Sequence, residues 1–506
     1  MKNKILSLLA LSAILTVSSC TNLDETVYDR NPMDGTGKSE KEMQAVISGA
    51  YTTLRGFSDS DKGGTNCYPT GEFVFFVNEC VSDEATIPTR VGGDWGDGGR
   101  YRELQQHTWT ANNVLFSANW KYCYQGIATI NAAIYQVEQS LMTKEAKDKT
   151  NAELRGLRAY YYYLLLDQFG NVPLVTEFKK DAEYPANTSR EEVFKFVEDE
   201  LKAIVDLLPA TKTYSKFTQG VAYSILARLY LNAEVYTGTP RWQDCINACD
   251  KVTGYIIEDN YFESFKTNNE ISNEIIFSVP YDHKAGTVGN YLASMTYHYE
   301  QKYAFSKDGS YPWCGNGICA QPGLYSSFDA NDIRRNSLLI GPQISLSTGE
   351  VIKMANGMPL DYTEEITTIM ESPQNEGARL HKYEVRADDQ WERDHDLVLI
   401  RYAEIVMSKA EALFRMGSKS SALPLVNELR NRAGLTDLSD LTLESLDKEW
   451  RHEFVFEGIR RTVNIRFGTF FEPWWQKEAS DKTRGLYPIP VSQLQLNKNL
   501  KQNPGY

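Results

Sequence analysis

Trp95 lies in the stretch 83–109, DEATIPTRVGGDWGDGGRYRELQQHTW, with five glycines around it. An indole in so flexible and polar a run is badly placed for a core. Glycine lets the backbone turn tightly and lets a ligand come close. Arg90 offers a planar fork of donors, and Asp94 and Asp97 offer acceptors. A second stretch, 297–313, YHYEQKYAFSKDGSYPW, sets Tyr297, Tyr299, Tyr303, Tyr311 and Trp313 among polar residues. Water-facing rings stack on the C–H face of a pyranose, and polar neighbours bond its hydroxyl rim. By analogy with nucleobases on aromatics, each such platform contributes about 1–3 kcal/mol. A saccharide is the ligand these residue types suit. The expected contact set is Trp95 and Trp313 for stacking, Arg90, Asp94 and Asp97 for hydrogen bonds, and Tyr299, Tyr303 and Tyr311 around them. The structural alternative is that the rings pack under their loops as satellite cores, each Tyr hydroxyl satisfied locally.

Other chemistries find no comparable support. His452-Glu453 is followed by Phe456 where H-E-x-x-H requires its second His. G-x-S-x-G is absent. Gly315-Asn316-Gly317-Ile318-Cys319-Ala320 mimics a dinucleotide fingerprint but follows Tyr311-Pro312-Trp313 rather than an apolar strand. Asp59-Ser60-Asp61 opens like a calcium loop, yet its twelfth position is Thr70. A glycosidase needs two carboxylates about 5–10 Å apart, and nothing singles out such a pair among 67 acids. The expectation is a binding protein with no catalytic residue, metal or cofactor. A membrane-anchored glycoside hydrolase is the enzyme alternative.

Helices must position these loops. Residues 151–169, NAELRGLRAYYYYLLLDQF, repeat apolar side chains at helical spacing and are apolar most of the way round. Gly170 and Pro173 end the run. Residues 219–236 with 241–252, and 402–416 with 420–433, form two helix–turn–helix units of about tetratricopeptide length. From about 255 to 395 the pattern weakens to Gly, Asn, Ser and aromatics, with short strand-like runs such as Glu274–Val279. Long irregular regions on a scaffold are more often binding loops. The expected fold is mainly α: a TPR-like helix-pair scaffold carrying an irregular, loop-rich half with a few short strands. Scaffold helices are expected at about 42–60, 110–255 and 400–470, and binding loops at about 61–109 and 255–395.

The 506 residues carry a net charge of −14 spread along the chain. Nucleic-acid binding needs clustered Lys and Arg, so nucleic acid is not an expected partner. Arg90, Arg100 and Arg102 form a local exception to the acidic balance. Lys2 and Lys4 precede an apolar run, Ile5–Val17, too short to span a bilayer and matching a secretory signal. It ends Val17-Ser18-Ser19-Cys20, which resembles a bacterial lipobox. Residues 1–19 are thus expected to be a signal peptide, Cys20 the lipidated residue, 20–41 a tether and 42–506 one domain. Two or more acyl chains give stable anchoring. Of the seven later cysteines, Cys245 and Cys249 share a helix face, and Cys314–Cys319 is the best candidate for a loop disulfide.

Four ordered blocks carry a family likeness: LRGLRAYYYYLLLDQFGNVPLV (154–175), RYAEIVMSKAEALFRMGSKSSALPLVNELRNRAGL (401–435), EWRHEFVFEGIRRTVNIRFG (449–468) and LYPIPVSQLQLNKNLKQNPGY (486–506). Together they resemble the RagB/SusD family. Thr462, Val463 and Asn464 depart from that family's usual aromatic and Asp positions, and Glu457 with Arg461 has helical i,i+4 spacing. The resemblance implies four TPR-like helix pairs supporting a less regular ligand-binding half. It implies a lipid-anchored lipoprotein at the cell surface of the outer membrane, without catalysis, that captures oligo- or polysaccharide as the lid of a SusC-like TonB-dependent transporter. The segment Asp94–Gly99 falls where relatives place a binding loop. An alternative within this resemblance is a transporter-associated lipoprotein that takes peptides.

Overall fold

The computed structural model describes residues 38–58, 66–70, 74–179, 184–282, 284, 289–310, 312–389 and 393–506. The signal segment, Cys20, most of 20–41 and Tyr311 lie outside the described residues. Helix α1 (Glu40–Thr52) opens on a reciprocal cap, in which Ser39 and Glu42 satisfy each other's backbone N–H groups. The helical scaffold therefore begins two residues before the expected position 42.

A short helix α2 (Arg100–Gln106) precedes the longest pair, α3 (Val114–Gln139) and α4 (Lys144–Gln168), which pack side by side. Asn113 and Thr143 cap them with side-chain oxygens. Helices α5 (Arg190–Ile204), α6 (Gln219–Leu231) and α7 (Trp242–Cys249) follow, and after the irregular stretch come α8 (Tyr402–Arg415) and α9 (Lys419–Arg432). Each of α4–α5, α6–α7, α7–α8 and α8–α9 is a packed pair. The α7–α8 contact closes the scaffold across the 150-odd intervening residues. Helices α10 (Leu443–Glu453), α11 (Arg460–Phe467) and α12 (Val491–Leu496) complete it. The chain is mainly α, as expected. Tyr160 to Tyr163 are all buried. Tyr161 lies against Gly126 of α3, where a Cβ would sit 2.4 Å from the ring, and its hydroxyl donates to Thr53 Oγ1 at 2.9 Å.

The strands are short and antiparallel: β1 (Ala85–Thr86) pairs with β3 (Cys319–Ala320), and β2 (Ile275–Val279) with β8 (Leu397–Arg401). Likewise β4 (Leu338–Leu339) pairs with β7 (Arg379–Leu380), and β5 (Gly341–Pro342) with β6 (Asp361–Tyr362).

Buried charge fastens this irregular half to the helices. Arg401, 1% exposed, donates to Glu274 Oε1 (2.7 Å), Glu453 Oε1 (2.6 Å) and both oxygens of Glu457 (2.7 Å). Arg334 holds Asp332 (2.8 Å) and Glu449 (3.1 Å). Two local expectations are corrected here. Gly458, at φ 80°, separates α10 from α11. Glu457 consequently turns to Arg401 and Lys382, while Arg461 Nη1 donates to Asp167 at 2.8 Å, so the i,i+4 pair does not form. All seven described cysteines are buried and none is in a disulfide. Cys314 Sγ donates to Pro312 O (3.5 Å) and Cys319 Sγ to Thr86 O (3.7 Å), so the Cys314–Cys319 disulfide is absent. Beside Gly458, Glu79 accepts from Gly458 N and Glu84 from Phe456 N. Burial pushes the Glu84 carboxyl up to about 7 and, with the nearby Glu84, holds Glu79 well above its ordinary range.

Candidate functional site

The loop 90–99 is coiled by two turns, with Gly93 N donating to Arg90 O (2.9 Å) and Gly96 N to Gly93 O (3.2 Å). Glycine supplies the positive φ at 92, 93, 98 and 99, but Trp95 (58°) and Asp97 (39°) adopt it too. Non-glycine residues held in that region mark a backbone over-determined by its surroundings, and they cluster at functional sites. The constraint on Trp95 is visible. Its Nε1 donates to Gly315 O at 2.6 Å, its indole lies on Gly317, and its ring meets Tyr101 (5.6 Å) and Phe76 (6.5 Å). The indole is half-buried.

The segment beneath it is equally fixed. Gly315 N donates to Ser294 O (2.8 Å), Asn316 N to Tyr297 O (2.7 Å) and Gly317 N to Met295 O (2.7 Å). Trp313, two residues before the indole's acceptor, is 62% exposed. The structure thus brings Trp95 and Trp313 onto one segment, one anchored edge-on and the other displayed to solvent. Asp94 and Asp97 are exposed on either side of Trp95. Asp94 Oδ1 accepts from Trp95 N (3.1 Å), and Asp97 pairs with Arg100 (3.0 Å). Partial burial, with Asp97 nearby, raises the Asp94 carboxyl above its ordinary value.

Three other expected contacts stand differently. Arg90 is fully buried. Its guanidinium donates to Asn316 O (3.1 Å), Gly317 O (3.3 Å), Pro373 O (3.2 Å) and Glu376 O (2.9 Å). Burial, with Arg379 nearby, lowers its pKa to about 9. Arg90 is therefore a clamp under the platform and not a donor to a ligand. Tyr303 is half-buried against a small cluster of Ile352, Met354, Leu360 and Tyr362, close to the satellite-core alternative. Tyr299 is half-buried beside His298, at 5.3 Å. Elsewhere, Tyr68 and Tyr291, 223 positions apart, form a half-buried stacked pair at 5.5 Å that no local pattern predicts. Among the described residues, no group of three or more His, Cys, Asp or Glu could hold a metal, and no helix is long and apolar enough to cross a membrane.

Fold and site together define a helix-pair scaffold protein whose loops build a solvent-facing aromatic surface. Residues 88–231 match the family described as "Starch-binding associating with outer membrane", and residues 273–480 the "SusD family". The chain belongs to the SusD/RagB family. It is 28% identical to the starch-binding protein SusD of Bacteroides thetaiotaomicron, over 98% of both chains. It is 25% identical to SusD-like protein P2 of Formosa agariphila, over 97% of this chain and 98% of that one. Among solved structures, a laminarin-binding SusD-like protein aligns with TM-score 0.73 and 23% identity, covering 93% of this chain and 100% of the other. Surface glycan-binding protein A from Bacteroides thetaiotaomicron, in complex with laminarihexaose, aligns with TM-score 0.73 and 18% identity, over 92% and 100%.

Proposed function

We propose that the protein binds oligo- or polysaccharide at the cell surface without catalysis and delivers it to a SusC-like TonB-dependent outer-membrane transporter. In this reading residues 1–19 are a signal peptide, Cys20 carries the lipid anchor, 20–41 form the tether, and 42–506 act as one binding unit. The observation that carries the reading is the pairing of Trp95 and Trp313 on the segment 313–317, one indole pinned and one 62% exposed. A rigid indole beside a solvent-exposed one offers apolar faces to sugar rings. Asp94 and Asp97 stand next to Trp95 to accept from hydroxyls, and Tyr299 lies within the 297–313 segment. Relatives whose names state starch, laminarin or glycan binding support the same ligand class.

The test is a polysaccharide array with the chain that begins after Cys20, followed by calorimetry on its hits. Trp95→Ala and Trp313→Ala are each expected to weaken binding by about tenfold, from the loss of about 1–3 kcal/mol of stacking. No new reducing ends should appear on overnight incubation. Full affinity in both variants would remove the site assignment. Released reducing ends would favour the hydrolase, and an array without hits beside a stable transporter complex would favour a role confined to the transporter or to peptides.

A further inference from the structure

The molecule displays another indole that its hydrophobic core does not use. In the segment 470–477, FFEPWWQK, Trp474 and Lys477 exchange backbone hydrogen bonds (3.2 and 2.9 Å) across a tight turn, with Gln476 at φ 50°. The turn is firmly held. Lys477, 3% exposed, donates to Glu472 O (2.8 Å) and Glu478 O (3.1 Å) and lies 3.9 Å above the Trp474 ring. Trp474 meets His107 edge-on at 5.1 Å. Trp475, inside the turn, is half-buried and belongs to neither hydrophobic cluster.

Two contacts tie this turn to the helix on which Trp95 rests. Gln105 Nε2 donates to Trp475 O (2.8 Å) and Gln106 Nε2 to Gln476 O (3.4 Å). Trp95 packs on Tyr101 at the other end of the seven-residue α2. Tyr101 and Gln105 are about 6 Å apart along the axis, so the Trp95 ring and the Trp475 carbonyl attach to the same short helix. Beside Trp475 opens a cavity of about 300 Å³, lined among others by Trp474, Asp83 and Arg451. Asp83 Oδ2 and Arg451 Nε stand 3.5 Å apart, with 22% and 20% of their side chains exposed. Asp83 is fixed in place by Arg460, at 2.8 and 3.0 Å, and by Asn464, at 3.0 Å; the indole walls present an apolar face beside this held carboxylate and the part-exposed Arg451 guanidinium, a donor for hydroxyls.

We propose that Trp475, with Asp83 and Arg451, forms a second saccharide subsite on the surface that begins at Trp95. An oligosaccharide of several rings would cross α2 and engage both subsites, whereas a disaccharide would engage only one. This rests on the function proposed above and adds a preference for chain length to it. The test titrates maltose through maltoheptaose and laminaribiose through laminarihexaose, together with any polymer the array retains, into wild type, Trp475→Ala, Trp475→Phe and Trp95→Ala. Trp475→Ala is expected to leave the disaccharides unchanged and to weaken the longest oligosaccharides and the polymer about tenfold, with Trp475→Phe recovering most of the loss. Unchanged affinity of Trp475→Ala along the whole ladder, while Trp95→Ala still weakens binding, overturns the second subsite and leaves the first reading intact. Equal loss for short and long ligands also overturns it, since a general structural effect has no length dependence. If wild type retains neither ladder and no polymer, both readings fall.

Discussion

The anchorage of Trp95 can be disturbed from outside the ring. At Gly317 an added Cβ would lie 2.5 Å from Trp95 Cζ2, 2.6 Å from Cε2 and 2.8 Å from Cη2. Carbon atoms settle at about 3.5–4.0 Å, so in Gly317→Ala the indole must shift by roughly 1 Å. Position 317 has no positive φ, so alanine meets no backbone obstacle there. The ring cannot simply slide, because Phe76 and Tyr101 lie against it and Nε1 is bonded to Gly315 O at 2.6 Å. That hydrogen bond contributes about 0.5–1.5 kcal/mol net. Losing it, together with part of the packing, should cost the fold about 1–2 kcal/mol. Ligand affinity should fall about five- to twentyfold as the platform leaves its plane, out of the 1–3 kcal/mol that stacking supplies. Calorimetry on a polysaccharide hit measures the affinity, and near-ultraviolet circular dichroism reports the indole's displacement. Wild-type affinity in a Gly317→Ala protein whose indole signal has changed would refute the reasoning that Trp95 works by its fixed position.

Two further outcomes follow from the buried charges. The Glu84 carboxyl titrates near 7 in the folded chain against about 4.3 unfolded. The folded state therefore binds more protons across that window, and stability falls as pH rises through it; Glu84→Gln keeps the acceptor for Phe456 N and should flatten the melting temperature measured between pH 5 and 8. A slope as steep as wild type would reassign the effect to other groups. Arg401→Ala leaves Glu274, Glu453 and Glu457 without their shared cation. The expected cost is about 3–5 kcal/mol, read as a lower denaturant midpoint; a change below 1 kcal/mol would show that Arg432 and Lys382 suffice.

Helical periodicity made the scaffold readable, because caps and apolar spacing are local properties. The Tyr160–Tyr163 run, apolar most of the way round, is buried as that spacing requires. The exposure of Trp313 follows from its polar stretch, whereas Trp95, expected to lie clear of the core, packs against it at Phe76 and Tyr101. Long-range partners were not readable. Arg90 had the right chemistry for a ligand donor, but its acceptors lie more than 220 residues away, at Asn316 and Glu376. The Cys314–Cys319 pairing looked plausible by spacing, yet β3 carries one thiol toward Thr86. Trp475 offered a signal of its own, an adjacent Trp pair after Pro473 in a polar stretch. The contacts of Gln105 and Gln106 connect its turn to the helix beside Trp95.

Trp95 is held by a main-chain oxygen at 315 and by the bare α-carbon of residue 317, and Arg90 steadies that same segment through the carbonyls of 316 and 317 while tying it to those of 373 and 376. None of these attachments to 315–317 and 373–376 depends on a neighbour's side-chain identity apart from the glycine. Exposed side chains at 94 and 97 can thus change without removing the bonds that seat the indole itself, although Asp94 also holds Trp95 N. Selectivity in a scaffold built this way can be rewritten at its margin while the central anvil stays where it is.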